Sequence, residues 1–215
     1  MSKATTQIFL RSLRDFLQSE QVAALSHTIP SPNSDQPAID LSEVTLKARF
    51  SYEYQIKYDC LMILVPLVGK IHVEETIGID VGDCWSKSLK IGEIILLKNP
   101  YETTENHFLR IQIPFVGTVK SSLSSFSNDK LKNKIYQIFS LHQDQEILNI
   151  GMGKFDGRAE TEFQVKRSVF VYSLVGAFEV QNCLLEKGDA LKIIGNDTIE
   201  LEALSNDAVI LTLEM

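Results

Sequence analysis

The sequence predicts an all-β protein of two successive barrels, preceded by a short N-terminal helix. Many short apolar segments follow one another with Gly, Asn or Asp turn signals between them, which is typical of β-sandwiches and barrels. Beyond residue 26 the chain shows no long apolar period of the helical kind, which argues against a mixed α/β fold. A short motif also recurs half a chain later, which indicates that one architecture is built twice.

Composition narrows the class of protein. The chain has 215 residues, 44% of them hydrophobic, which is enough for one large core or two small ones. Its net charge is −7, so neither nucleic acid nor a membrane surface is an expected partner. No apolar run approaches the roughly 18–20 residues that cross a bilayer, and the start of the chain lacks a signal-peptide pattern. Three cysteines without CxxC spacing are typical of a reducing compartment, so a cytoplasmic location is expected.

The first elements follow from local periodicity. Residues 8–10 form a strand-like apolar run. The apolar residues that follow have a spacing that favours a short helix; they are Leu13, Phe16, Leu17, Val22 and Leu25. Residues 27–40 contain three of the six prolines and are predicted as a loop.

Strands fill the first half of the chain from residue 44. Apolar or aromatic residues alternate with polar ones over 44–54, which places Tyr52 and Tyr54 on one face. The continuous apolar run 60–69 is typical of a strand covered on both faces. Further strands are predicted at 70–79, 85–89, 93–99 and 107–115.

The Ser- and Lys-rich segment 117–134 is predicted to connect two domains, because it is long for a loop within one domain. We therefore expect an N-terminal barrel over residues 1–116 and a C-terminal barrel over 135–215. Strands of the second half are predicted at 136–140, 147–155, 169–174, 177–180, 183–185, 190–194, 199–204 and 209–213.

An internal sequence repeat supports the prediction of two barrels. The motif Leu-Val-Gly ends at Gly69 and again at Gly176, each time between two apolar strands. A Gly-acidic pair opens a later strand in both halves, and we match Gly92-Glu93 with Gly188-Asp189. On this matching the first copy carries an insertion of 11 residues, because the spacings are 23 and 12 residues.

The residues of the second half resemble the cupin superfamily and, within it, the two-barrel pirin-like proteins. The stretch VFVYSLVGAFEVQNCLLEKGDALKI (169–193), followed by IELEAL and VILTLEM, is similar to the family's second barrel. The opening IFLRSLRDF is similar to the first strand of pirin-like chains. The resemblance implies two cupin-like barrels of the double-stranded β-helix, or jelly-roll, type.

The same resemblance implies a metal site inside the first barrel, made of an H-x-H pair with a further His and Glu. This sequence departs from that pattern. The paired histidines would fall near Gln55 and Lys57, and the later His and Glu near Glu105 and His107. A lysine repels a dication unless burial neutralises it. We therefore predict no metal site and no cofactor; should a metal bind, its candidate ligands are His72, Glu105 and His107.

Aromatic residues of the first barrel suggest a pocket instead. If the barrel is open, an aromatic lining would suit a small planar molecule. The pocket candidates are Tyr52, Tyr54, Gln55 and Lys57.

Three functions remain open from the sequence. The leading one is a pirin-like bicupin that has lost its metal, is not an enzyme, and binds a small molecule or a protein. The alternative is a metal-dependent, quercetinase-like dioxygenase with the unorthodox ligands His72, Glu105 and His107. The third is an assembly module that forms a homodimer through its strand edges.

Overall fold

The computed structural model describes residues 5–30, 37–143 and 146–215. The chain divides into two compact units: Arg14–Phe126, and Ser127–Met215 together with the described residues up to Leu13. No helix in the described part of the chain has the length and apolar character needed to cross a bilayer.

The described residues contain twenty-one strands and two 3-10 helices. The first strands are β1 (Thr5–Phe9), β2 (Asp15–Gln18), β3 (Val22–Ile29), β4 (Ile39–Leu46), β5 (Ser51–Gln55), β6 (Cys60–Val68), β7 (Ile71–Val73), β8 (Ile77–Ile79), β9 (Asp83–Leu89), β10 (Ile94–Lys98), β11 (Asn106–Pro114) and β12 (Ser122–Ser125). The others are β13 (Tyr136–Gln143), β14 (Glu146–Phe155), β15 (Glu160–Gln164), β16 (Ser168–Val175), β17 (Phe178–Val180), β18 (Cys183–Leu185), β19 (Ala190–Ile194), β20 (Thr198–Ala203) and β21 (Ala208–Glu214). The 3-10 helices are Arg11–Leu13 and Asn128–Leu131.

The N-terminal barrel consists of a seven-stranded and a four-stranded sheet. Their strand orders are β12-β9-β6-β11-β4-β3-β2 and β5-β10-β7-β8, and every recorded pair is antiparallel. Both sheets contribute side chains to one apolar core, because alternate residues of each strand face inward. Trp85, the only tryptophan of the chain, is buried in this core.

The C-terminal barrel repeats this plan. Its sheets have the orders β1-β19-β16-β21-β14-β13 and β15-β20-β17-β18. Its core includes Phe155 and Phe178, whose rings meet edge to face with centroids 5.8 Å apart. Two antiparallel barrels of the same topology confirm the predicted fold class.

The predicted N-terminal helix is wrong. Apart from the three-residue 3-10 helix, the described residues before 30 form strands, and β2 pairs with β3 as a hairpin. Leu13, Phe16 and Leu17 are exposed, so their helix-like spacing buries no apolar stripe. Pairing of β3 with β4 decides the structure of this segment instead.

The structure contains the internal repeat, but the sequence comparison matched the wrong second turn. Gly69 and Gly176 occupy equivalent turns, after β6 and β16, and both have positive φ (74° and 78°). In sheet order β19 is the counterpart of β9, and the turn before β9 is Gly82, not Gly92. The spacings from the first glycine are then 13 and 12 residues, so no insertion of 11 residues is needed.

The two matched turns also share their hydrogen bonds. The Asp83 carboxylate accepts the backbone N–H of Asp80 at 2.9 Å, and the Asp189 carboxylate accepts that of Glu186 at 3.1 Å. Gly82 and Gly188 have φ of 94° and 90°. This Gly-Asp turn is therefore the repeated unit, with the carboxylate satisfying a turn donor.

The segment predicted as a connector, 117–134, contains regular structure. Strand β12 pairs with β9 and so belongs to the unit Arg14–Phe126. Strand β1 pairs with β19, and the Phe9 ring meets Phe170 at 5.3 Å, so the first strand belongs to the C-terminal unit. The predicted domain boundaries, 1–116 and 135–215 with the connector 117–134, stay a prediction.

Candidate functional site

Strands β4 and β11 lie side by side in the N-terminal barrel, and each carries polar side chains on its barrel-facing side. Arg110 lies opposite Ser42, and Gln112 lies opposite Asp40. Phe108, two residues before Arg110, belongs to the barrel core. Because successive side chains of a strand alternate between faces, all four polar residues face the interior.

We call the cluster around these residues the polar end of the N-terminal barrel. It joins β3, β4, β6 and β11 of one sheet to the β5 segment of the other. Its eight members are Ser26, Asp40, Ser42, Tyr54, Tyr58, Cys60, Arg110 and Gln112.

The Arg110 guanidinium is the central charge of the polar end. Its Nη2 donates to Ser42 Oγ at 2.9 Å and to Asp40 Oδ1 at 3.2 Å. Its central carbon lies 3.9 Å from the centroid of the Tyr54 ring, a cation–π contact. The Arg110 side chain is 6% exposed and that of Asp40 is 27% exposed, so the positive charge lies deeper than the negative one. Within the described part of the chain, buried Arg110 Nε has no acceptor.

The directions of the hydrogen bonds made by the Ser42 and Ser26 hydroxyls follow from their proton count. Ser42 donates its one proton to Asp40 Oδ1 at 2.5 Å. Ser42 Oγ must therefore accept from its other neighbours, Arg110 Nη2 and the Ser26 hydroxyl at 2.9 Å. This chain of hydrogen bonds fixes the Asp40 carboxylate beside the guanidinium.

Tyr54 links the guanidinium to the far side of the polar end. Its hydroxyl donates to Gln112 Oε1 at 2.5 Å, and Gln112 Nε2 donates to Cys60 Sγ at 3.7 Å. The Tyr58 hydroxyl donates to the carbonyl of Ala38 at 3.0 Å. Both phenols thus stand as hydrogen-bond donors at the edge of the cluster.

Burial keeps the phenols and the thiol of the polar end neutral. Burial raises the pKa of Tyr54, against the opposing effect of the Arg110 charge. Burial likewise raises the pKa of Tyr58, with Asp40 adding to the rise, and it raises the pKa of Cys60 despite the hydrogen bond from Gln112. The formal charges of the polar end are therefore those of Arg110 and Asp40.

The four predicted pocket residues lie on opposite faces of the β5 segment, two toward the core and two toward the surface. Tyr52 and Tyr54 pack against the core, with ring centroids 5.9 Å apart. Gln55 and Lys57 are exposed, because the inward-facing position between them is taken by buried Ile56. The structure thus places Tyr54 in the polar end and leaves Gln55 and Lys57 at the surface.

The three metal-ligand candidates do not converge. His72 lies between the core residues Ile71 and Val73, so it faces outward from the four-stranded sheet. His107 faces outward from the other sheet, and Glu105 is exposed and pairs with Lys47 at 2.7 Å. Among the described residues, no three His, Cys, Asp or Glu side chains lie close enough to hold a metal ion.

Sequence reasoning missed Arg110, Gln112, Asp40 and Ser42. A signal was present, because the two residues of each pair stand two positions apart and in step with apolar residues of the same strand, Val44 and Leu46 in β4 and Phe108 in β11. Polar residues with this spacing lie on the same face of the strand as the core residues. What the sequence did not show is that β4 and β11 are neighbours.

A second polar surface lies on the four-stranded sheet of the C-terminal barrel. Glu162 faces Glu200 across the β15–β20 pair, and Glu160 faces Glu202. With Glu179 they line a groove of about 540 Å³. Like charges in opposite positions destabilise a sheet, and Arg158 offsets part of this charge through a 2.8 Å ion pair with Glu202.

Two jelly-roll barrels of this topology in one chain define a bicupin. Residues 132–215 match the family described as "Quercetinase C-terminal cupin domain". No curated protein sequence matches the chain significantly.

Solved structures of pirins and other cupins match nearly the whole chain. The bacterial pirin YhhW from Escherichia coli, in complex with nickel(II), is 14% identical, with a TM-score of 0.76 over 98% of this chain and 99% of its own. YhaK from Escherichia coli is also 14% identical, with a TM-score of 0.72 over 95% and 94% of the two chains. A variant of the Bacillus subtilis oxalate decarboxylase is 10% identical, with a TM-score of 0.61 over 96% and 76%. The chain therefore has the two-barrel, pirin-like bicupin fold.

Proposed function

We propose that this bicupin is a metal-independent binding protein whose polar end takes up a small organic molecule. The observation that carries the proposal is the position of Arg110. A buried guanidinium, whose Nε–H has no acceptor among the described residues, lies in the barrel interior with the Tyr54 ring 3.9 Å from its central carbon. A few polar groups converging in an otherwise apolar interior are typical of small-molecule sites.

The polar end does not fit the metal that the family resemblance implies. The YhhW structure contains nickel(II). Divalent metals of this kind prefer neutral imidazoles and carboxylates. The eight described side chains of the polar end offer one carboxylate, from Asp40, and no imidazole. Arg110 lies 3.2 Å from that carboxylate and would repel a dication.

Positions predicted as metal ligands also argue for a metal-free barrel. His72 and His107 face outward from different sheets, and Glu105 is engaged by Lys47 at the surface. A dioxygenase built on these three residues would therefore need them to leave the faces on which they lie. We accordingly place binding, rather than metal-dependent oxygen chemistry, at the N-terminal barrel.

Thermal unfolding followed by Trp85 fluorescence tests the proposal, because Trp85 reports on the N-terminal barrel core. Small organic fragments that bind the folded state should raise the unfolding temperature. At about 100 times its Kd a ligand stabilises by about 2.7 kcal/mol. Nickel(II) or iron(II) alone should leave the temperature unchanged.

Two variants give the test its control. Arg110→Gln should abolish the fragment-induced shift. Arg14→Gln should keep it, although Arg14 is another buried, ion-paired arginine of the same unit, bonded to Glu43 at 2.6 Å. Stabilisation by nickel(II), and by no fragment, would contradict the proposal and favour the dioxygenase alternative.

A further inference from the structure

We infer that the ligand of the polar end carries a carboxylate, which binds the Nε edge of Arg110. This inference rests on the proposed function and adds the chemical class of the ligand. It starts from an imbalance at Arg110, whose Nη2 has two acceptors while Nε, among the described residues, has none. A buried donor without an acceptor costs free energy unless a further group satisfies it.

The charge distribution favours an anionic acceptor. The guanidinium is almost fully buried, whereas Asp40 is partly exposed and meets it through one N–H at 3.2 Å. Asp40 Oδ1 is also shared with the Ser42 hydroxyl at 2.5 Å. The internal ion pair is thus a single, long contact rather than the two parallel hydrogen bonds that arginine and carboxylate form at best.

The neighbouring groups leave that positive charge available. Tyr54, Tyr58 and Cys60 are neutral, because burial raises the pKa of each. The Tyr54 ring packs against the guanidinium, with its centroid 3.9 Å from the central carbon. A planar carboxylate matches the planar fork of arginine better than a hydroxyl or an amide does. Four members of the polar end are partly exposed, and a ligand would enter from their side: Ser26, Asp40, Tyr54 and Tyr58.

Calorimetric titration of the full chain with matched pairs tests this inference. The probes are acetate, benzoate and malonate, each compared with its uncharged amide: acetamide, benzamide and malonamide. At least one carboxylate should bind saturably, and roughly tenfold or more tighter than its amide, since a charge-assisted contact replaces a neutral one.

Variants separate an electrostatic role of Arg110 from a structural one. Arg110→Lys keeps the charge but loses the Nε donor, and should weaken carboxylate binding by roughly tenfold or more. Asp40→Asn removes the competing carboxylate while its Oδ1 still accepts from Ser42, and should strengthen binding. Arg14→Lys should leave the affinity unchanged. If Arg110→Lys does not fold, the Asp40→Asn variant still tests the inference, because it should strengthen carboxylate binding.

The outcomes distinguish this inference from the proposed function. Equal affinity for carboxylate and amide, or no saturable binding of any carboxylate, overturns the carboxylate inference. If neutral fragments still bind and lose affinity in Arg110→Gln, the proposed function stands without it. If only nickel(II) binds, both are overturned.

Discussion

The hydrogen bond between Tyr54 and Gln112 offers a direct test of the polar end. The Tyr54 hydroxyl donates to Gln112 Oε1 at 2.5 Å, and Gln112 is 2% exposed. Tyr54→Phe removes this donor but retains the ring that supports Arg110 at 3.9 Å. The buried amide oxygen of Gln112 then loses its donor.

The expected loss of stability in Tyr54→Phe follows from the burial of Gln112. A buried acceptor left without a partner costs about 1–3 kcal/mol, so we expect a loss of about 2 kcal/mol in the free energy of unfolding. For a chain of this length, about 2 kcal/mol lowers the unfolding temperature by about 4–8 °C. Tyr52→Phe is the matched control, because Tyr52 packs edge to face on Tyr54 and the described residues show no hydrogen bond from its hydroxyl. It should cost less than about 0.5 kcal/mol.

A double-mutant cycle in urea, followed by the fluorescence of Trp85, measures the coupling. In a Gln112→Leu background the acceptor is gone, so Tyr54→Phe should cost less than about 0.5 kcal/mol. The difference between backgrounds is the coupling energy, expected at about 1–2 kcal/mol. Equal costs in the two backgrounds would refute the reasoning, because they would mean that this hydrogen bond does not stabilise the barrel.

Three further predictions concern the thiols and the acidic groove. In the native protein a water-soluble maleimide should label the partly exposed Cys183, whereas buried Cys60 and Cys84 should stay unlabelled by mass spectrometry; comparable labelling of all three would contradict the core. Burial raises the pKa of the Cys84 thiol from 9.0 to about 12. The folded state therefore keeps a proton that the unfolded state releases, so the urea midpoint reported by tryptophan should fall as pH rises from about 9 to 12, and less so in Cys84→Ala. Glu200→Lys places a cation opposite Glu162 and should raise stability by about 0.5–1 kcal/mol at low salt. That gain should shrink in about 1 M salt; a gain independent of salt would exclude charge as its cause.

The strand pattern and the turns made the fold predictable from sequence. Apolar runs bounded by Gly-acidic turns mark strands whichever sheet they join, and the motif ending at Gly69 and Gly176 marks equivalent turns. The second turn was mismatched because Gly92-Glu93 and Gly82-Asp83 form similar turns. Glu93 Oε1 accepts the Lys90 N–H at 3.1 Å, much as Asp83 accepts that of Asp80. Only sheet order distinguishes the two.

The candidate site was not predictable in the same way. Arg110 and Ser42 are separated by 68 positions in the chain, and nothing in local sequence shows that their strands are neighbours. Counting residues from Gly69 led to Gln55 and Lys57, one position off the inward-facing series that contains Tyr54. Since a shift of one residue turns a strand side chain to the opposite face, this small error moved the predicted site from the interior to the surface.

Elemental analysis most directly tests the central claim, which is that the guanidinium of Arg110 serves as the fixed cation of the N-terminal barrel. The full chain would be expressed with iron, manganese, nickel, copper and zinc supplied, purified without a histidine tag, and analysed for all five. The account predicts metal well below one equivalent per chain. Near-stoichiometric metal that survives dialysis and is lost in His107→Ala would contradict it.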